Sequence, residues 1–137
     1  KDAKAAVAEK SRKDREAALA TIAKKYPDLR TTPSGLRYKI LKQGSGPSPS
    51  DGVQVTVHYT GWLLDGTEFD SSRDGGGPAT FRIGEVIEGW NETLKSMKKG
   101  ETRLIVIPPE LGYGERGYPG VIPGNAFLVF HVELLSF

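Results

Sequence analysis

The spacing of apolar residues changes from helical to alternating at Pro33-Ser34-Gly35, and the change sets a long N-terminal helix apart from a strand-rich remainder. Residues 2–25 are rich in alanine, hold no Gly or Pro, and stop at Tyr26-Pro27, which predicts one long helix. Leu19, Ile22 and Tyr26 recur at three and four residues and share a face. Before them only Val7 is large and apolar, so the first half of the helix reads as a solvated stalk.

Beyond Gly35 alternation takes over. Leu36, Tyr38 and Ile40 alternate with Arg37, Lys39 and Leu41. Val53, Val55, Val57 and Tyr59 alternate with Gln54, Thr56, His58 and Thr60, the pattern of a half-buried strand. Gly44–Gly52 is a break dense in turn formers, and Asp65-Gly66 is favoured hairpin chemistry. Ala79–Ile83, Thr102–Ile107 and Phe127–Leu135 read as further strands, the last with Leu128, Phe130, Val132 and Leu134 on one face. Glu88–Met97 reads as a short helix with Trp90, Leu94 and Met97 on one side and Gly100 at its exit. The expected class is α+β, an antiparallel sheet with one short helix to cover it. Residues 1–26 are then a helical N-terminal extension, 27–35 a linker and 36–137 the main domain.

Composition excludes several functions. At 137 residues the chain is one domain with a core of useful size. With no cysteine it has no disulfide, thiolate metal site or cysteine nucleophile. No apolar run approaches the roughly 20 residues that a membrane-spanning helix needs. The net charge of +2 hides an asymmetry: residues 1–26 hold eight Lys/Arg against four Asp/Glu, and residues 27–137 hold eleven against thirteen. The folded part is slightly acidic, which argues against nucleic acid as a partner.

Motifs that look chemical lose their meaning in context. Gly112-Tyr113-Gly114-Glu115-Arg116-Gly117 matches G-x-G-x-x-G, but Pro108-Pro109 precedes it and Tyr118-Pro119-Gly120 prevents a helix from opening after it. No cofactor is expected. His58 and His131 sit on the polar faces of strands without a second ligand at metal spacing, so they read as surface histidines and no metal is expected. Asp70-Ser71-Ser72 lacks a nucleophile elbow, and Glu85, Glu88 and Glu92 suit the start of a helix.

What remains is aromatic and apolar: Tyr59, Phe69 beside Asp70, Val86-Ile87 before Trp90, Tyr113 in a glycine-rich loop, and Phe130. Each alone reads as core, but Phe69, Val86-Ile87 and Tyr113 fall in or beside loops, where apolar side chains need a reason.

The chain resembles the tacrolimus-binding (FKBP-type) peptidyl-prolyl cis-trans isomerases. The matching segments are Val57–Gly61, Asp65-Gly66, Phe69–Ser72, Val86–Trp90, Ile107–Gly114, Pro119–Pro123, Leu128–Phe130 and Val132–Leu135, in the family's order. The resemblance implies a bent antiparallel sheet wrapped around one short helix, and an enzyme that rotates X-Pro bonds and assists protein folding. By position it makes Trp90 the pocket floor and Tyr59, Phe69, Val86, Ile87 and Phe130 the walls. Asp70 and Tyr113 supply polar groups, the Ile87 N–H donates to a substrate carbonyl, and Tyr118, Val121 and Ile122 line a flap. The implied partners are proline-containing polypeptides, with tacrolimus and rapamycin as inhibitors. Gly75-Gly76-Gly77 and Ala79 depart from better-known small members, and Tyr118 stands where histidine is frequent, which puts inhibitor affinity and substrate choice in question. A binding module or chaperone that uses the pocket without needed turnover is the alternative.

Thr31–Tyr38 looks like the junction in exported bacterial members similar to the macrophage infectivity potentiators, whose helical arm dimerises them. With the missing cysteines and Lys1 in first place, it points to a periplasmic or otherwise exported protein, the cytoplasm being the alternative. For the helix the two readings are a homodimer arm and a packed or frayed extension on a monomer.

Overall fold

The computed structural model describes the backbone of residues 2–73 and 77–137, and the side chains of residues 12–73 and 77–137. Val7, Gly75 and Gly76 therefore lie outside the described side chains. Helix α1 spans Asp2–Lys25, as the alanine-rich run predicts. Strands β1 (Arg30–Thr31), β2 (Arg37–Lys42), β3 (Gln54–Leu63), β4 (Glu68–Ser71) and β5 (Ala79–Arg82) follow. Helix α2 is Glu88–Ser96, and β6 (Thr102–Ile107) and β7 (Leu128–Ser136) complete the chain.

The seven strands among the described residues form one antiparallel sheet, six of them in the order β1-β2-β6-β7-β3-β4 and β5 paired to β3 beside that path. One edge of β3 pairs along most of its length with β7, while the other is shared by β5 near its start and β4 near its end. Register shifts at Ile40/Lys42, Thr56/Val57 and Gly61/Trp62 bend the sheet. The segment read as a linker carries β1, whose Arg30 and Thr31 pair with Tyr38 and Arg37. Two residues are too short to show a period, which is why alternation did not reveal it.

The concave face closes on α2. Trp90, Leu94 and Met97 pack with Val55, Val57, Ile105, Ile107, Leu128, Phe130, Val132 and Leu134 into the main core. Gly89 lets the helix approach β6: a Cβ there would lie 2.7 Å from Ile107 Cδ1 and Cγ2. Arg103 ties the far end of α2 to the sheet, donating to Ser96 Oγ at 2.8 Å and Ser96 O at 3.0 Å while paired with buried Glu101. Its guanidinium also lies over the Tyr38 ring.

The convex face is covered too. Strand side chains alternate, so Val106 and Val129 point away from α2, and α1 buries them together with Phe127, which directly precedes β7. Ile22 is fully inserted, with Ala18, Leu19 and Tyr26 beside it and Trp62, Leu64 and Leu104 around the rim. Burying one such isoleucine contributes about 1.5–3 kcal/mol. Two helices therefore cover the sheet, one on each face. The C-terminal half of α1 is part of the folded body.

Candidate active site

Between β3, β4, β5, the start of α2 and the loop after β6 lies a cavity of about 460 Å3. Its base is aromatic. Trp90 is almost wholly buried, and the rings of Tyr59, Phe81 and Phe130 stand edge-on to it at centroid distances of 5.0, 5.3 and 5.3 Å. Phe69 meets Phe130 edge-on at 5.4 Å. These contacts lock the rings in the T-shaped geometry that aromatic quadrupoles favour, so the walls are preorganised. Gly61 makes the arrangement possible, since a Cβ there would come within 2.7 Å of both Phe69 Cζ and Phe130 Cε1.

Alternation and a short hydrogen-bond network place the remaining groups. Tyr59 is held at the bend of β3: its N–H donates to Ser72 Oγ at 2.8 Å and its carbonyl accepts from Ser72 N–H at 2.9 Å. The Tyr59 hydroxyl donates to Asp70 Oδ2 at 2.7 Å. Burial first, and the Asp70 bond second, push the Tyr59 phenol well above the ordinary tyrosine range. Tyr113 is raised as well, by burial and then by the nearby Asp70 charge. Both hydroxyls therefore remain protonated donors at neutral pH.

Val86 and Ile87 are set by α2. Asn91, buried in the helix, accepts from Gly84 N–H at 2.8 Å and donates to Val86 O at 2.9 Å. The Ile87 carbonyl takes the N–H groups of Trp90 and Asn91, closing the first turn. Its own N–H makes no hydrogen bond among the described residues. It is a fixed donor beside an apolar slot.

The structure brings Tyr59, Phe69, Asp70, Val86, Ile87, Trp90, Tyr113 and Phe130 to this one cavity. The flap residues expected from the sequence sit apart from it. Tyr118 and Ile122 bridge a tight hairpin, with Ile122 buried in the main core and Tyr118 and Val121 exposed. Tyr118 reaches the site through Tyr113, whose ring it meets edge-on at 5.8 Å.

Sequence reasoning missed Phe81 and Glu85, which line the cavity. The period-two row Ala79, Phe81, Ile83 carried the signal for Phe81, because it sends Phe81 to the same face as buried Ile83. His58 is half-buried, with Nδ1 3.0 Å from Ser72 Oγ, where the sequence reading put a surface histidine. His131 is likewise half-buried. Gly112–Gly117 forms a run of turns rather than the mouth of a helix, as the flanking prolines require. Among the described residues no group of three His, Cys, Asp or Glu side chains could hold a metal ion, and no helix is long and apolar enough to cross a membrane.

The cavity is a preformed aromatic slot with a few polar groups at its rim, set in a bent sheet around one short helix, the usual form of a small-ligand site. Residues 46–135 match the family model described as FKBP-type peptidyl-prolyl cis-trans isomerase. The chain is 49% identical over 129 residues to "Peptidyl-prolyl cis-trans isomerase Mip" of Coxiella burnetii, covering 94% of this chain and 54% of that protein. It is 51% identical over 105 residues to "FK506-binding protein 1" of Dictyostelium discoideum, covering 75% of this chain and 98% of that one. The crystal structure of FkpA from Escherichia coli superposes with a TM-score of 0.82 at 43% identity, covering 97% of this chain and 65% of that one. This chain belongs to the FKBP-type peptidyl-prolyl cis-trans isomerase family. It spans about half the length of the Mip relative.

Proposed function

We propose that this protein accelerates cis–trans rotation about X-Pro bonds in polypeptides, and that the aromatic cavity is where it does so. The observation that carries this reading is the preorganised slot of Trp90, Tyr59, Phe81 and Phe130, apolar at its base and polar only at its rim.

The chemistry follows from the amide. Uncatalysed rotation faces a barrier of about 18–20 kcal/mol, because turning the C–N bond destroys its resonance. The planar amide carries separated charge and the twisted one carries less, so an apolar slot favours the twisted form. Binding that is tighter for the twisted state lowers the barrier, and each tenfold in rate needs about 1.4 kcal/mol. No nucleophile or proton shuttle enters.

In this reading Trp90 and the rings of Tyr59, Phe69, Phe81 and Phe130 grip the prolyl ring, with Val86 and Ile87 along one side. The Ile87 N–H and the Tyr113 hydroxyl hold substrate carbonyls. Asp70 accepts the Tyr59 hydroxyl and brings its charge near the imide. Tyr118 and Val121 meet the chain that flanks the proline. Tacrolimus and rapamycin occupy the same slot; the printed name of the Dictyostelium relative, an FK506-binding protein, supports the first of these. An exported location is read from the Thr31–Tyr38 junction and the absence of cysteine, and cell fractionation decides it. A dimer through α1 would use the helix upstream of Arg15, since Arg15 and the face of Ala18, Leu19, Ile22 and Tyr26 are engaged by this chain's own body; sedimentation of the intact chain decides that.

The deciding experiment is a protease-coupled isomerisation assay on a short peptide with an apolar residue before proline, with and without rapamycin. Rapamycin-sensitive acceleration is expected. Rapamycin binding without acceleration would instead make the site a recognition module, and neither would remove the pocket assignment.

A further inference from the structure

The N-terminal helix reaches the loop that carries Tyr113 through one residue. Arg15 directs two guanidinium nitrogens to a single carboxylate, Nη2 to Glu110 Oε1 at 2.7 Å and Nη1 to Glu110 Oε2 at 3.0 Å, across 95 positions of sequence. The same guanidinium lies over the Phe127 ring, 5.2 Å from its centroid. Between α1 and the loop is a cleft of about 440 Å3 lined in part by Asp14, Glu115, Asn125 and Phe127. The clasp thus spans a gap.

Glu110 is the middle residue of a 3-10 turn, Pro109–Leu111. The Pro109 carbonyl accepts the N–H groups of Gly112 at 3.0 Å and Gly114 at 2.9 Å, and the Gly114 carbonyl accepts Asn125 N–H at 2.8 Å. Tyr113 lies inside this ring of bonds, three residues after Glu110, with its side chain at the cavity. Moving Glu110 moves the Pro109 carbonyl, and with it both amides that flank Tyr113. A bidentate Arg–carboxylate pair fixes direction as well as distance, which a single contact does not.

We propose that Arg15 is a positioning residue for Tyr113, acting through Glu110, so that the N-terminal helix sets the geometry of one side of the pocket. This rests on the cavity being the site of isomerisation. Both partners are about half-exposed, so the link is sensitive to salt.

The test compares the full 137-residue chain with Arg15→Gln, Glu110→Gln and the exchange Arg15→Glu with Glu110→Arg. Isomerisation kcat/KM at low and high salt, amide exchange at Gly114 and Asn125, and Tm are the readouts. Each single variant is expected to lower kcat/KM about two- to fivefold and to speed exchange at both amides, with Tm almost unchanged. The exchanged pair restores both, and high salt brings the unaltered chain toward the single variants. Single variants with unaltered kcat/KM and exchange would overturn the proposal, as would an exchanged pair that rescues neither. If the unaltered chain shows no isomerisation, the functional reading fails by itself, and amide exchange still reports whether Arg15 holds the loop.

Discussion

Tyr59 and Asp70 come from paired strands, and the hydroxyl of the first donates a 2.7 Å hydrogen bond to Oδ2 of the second. The bond turns a carboxylate at the edge of an aromatic slot into a partner of the slot's own wall. The Tyr59 ring then has its orientation set twice, by Asp70 at the hydroxyl and by its T-shaped contact with Trp90.

The first consequence is alkaline. Tyr59 and Tyr113 have folded-state values raised above the unfolded value of about 10. Their contribution to stability is therefore complete below about pH 10 and is lost as pH rises through the raised values. In a phenolate absorbance titration, Tyr59 and Tyr113 should ionise above the ordinary tyrosine range and together with unfolding. These two phenols titrating in the ordinary range would contradict the burial and the Asp70 bond alike.

Removing the acceptor tests the carboxylate. Asp70→Asn keeps an oxygen for the Tyr59 hydroxyl and loses only the charge near the imide, so it should lower kcat/KM about twofold, whereas Asp70→Leu should lower it about tenfold by also leaving a half-buried hydroxyl unpaired. Steady-state kinetics of the two variants decide between them. Equal activity in both would remove Asp70 from the site's chemistry.

Gly61 tests the shape of the slot. Gly61→Ala puts a methyl 2.7 Å from two pocket rings, and overpacking of this kind costs about 1–3 kcal/mol. Because Phe69 and Phe130 are the side chains displaced, calorimetry should show weaker rapamycin binding. Wild-type affinity would mean the two rings can part without changing the slot.

A fourth prediction concerns the support of α2. Arg103 and Glu101 are a buried ion pair that also holds Ser96 and the Lys98 N–H. Arg103→Met should cost about 3–5 kcal/mol in denaturant unfolding, because it strands the Glu101 charge. Adding Glu101→Leu should recover much of that loss. No recovery would show that the contacts to Ser96, rather than the stranded charge, carry the cost.

Much of this could be read beforehand. Both helices begin and end within a residue or so of the limits set by composition and Pro27, because capping and breaking act locally. Leu128, Phe130, Val132 and Leu134 share the buried face that alternation assigns them. The aromatic cluster was visible as apolar residues in loops. Phe81 was hidden among core positions, since an inward strand residue looks the same whether it ends in a core or at a cavity.

Local pattern determined the helices, most of the strands, the face each strand buries and the resemblance that names the pocket residues, because dihedral preference and side-chain periodicity are properties of neighbouring residues. Tertiary structure alone decided which element covers each face. It set α1 against Val106, Phe127 and Val129, gave Glu110 to Arg15 and Asp70 to Tyr59, and left an open slot above Trp90. Those outcomes depend on how distant surfaces meet once the chain has closed, and no period along the sequence records the distance between residues 95 positions apart.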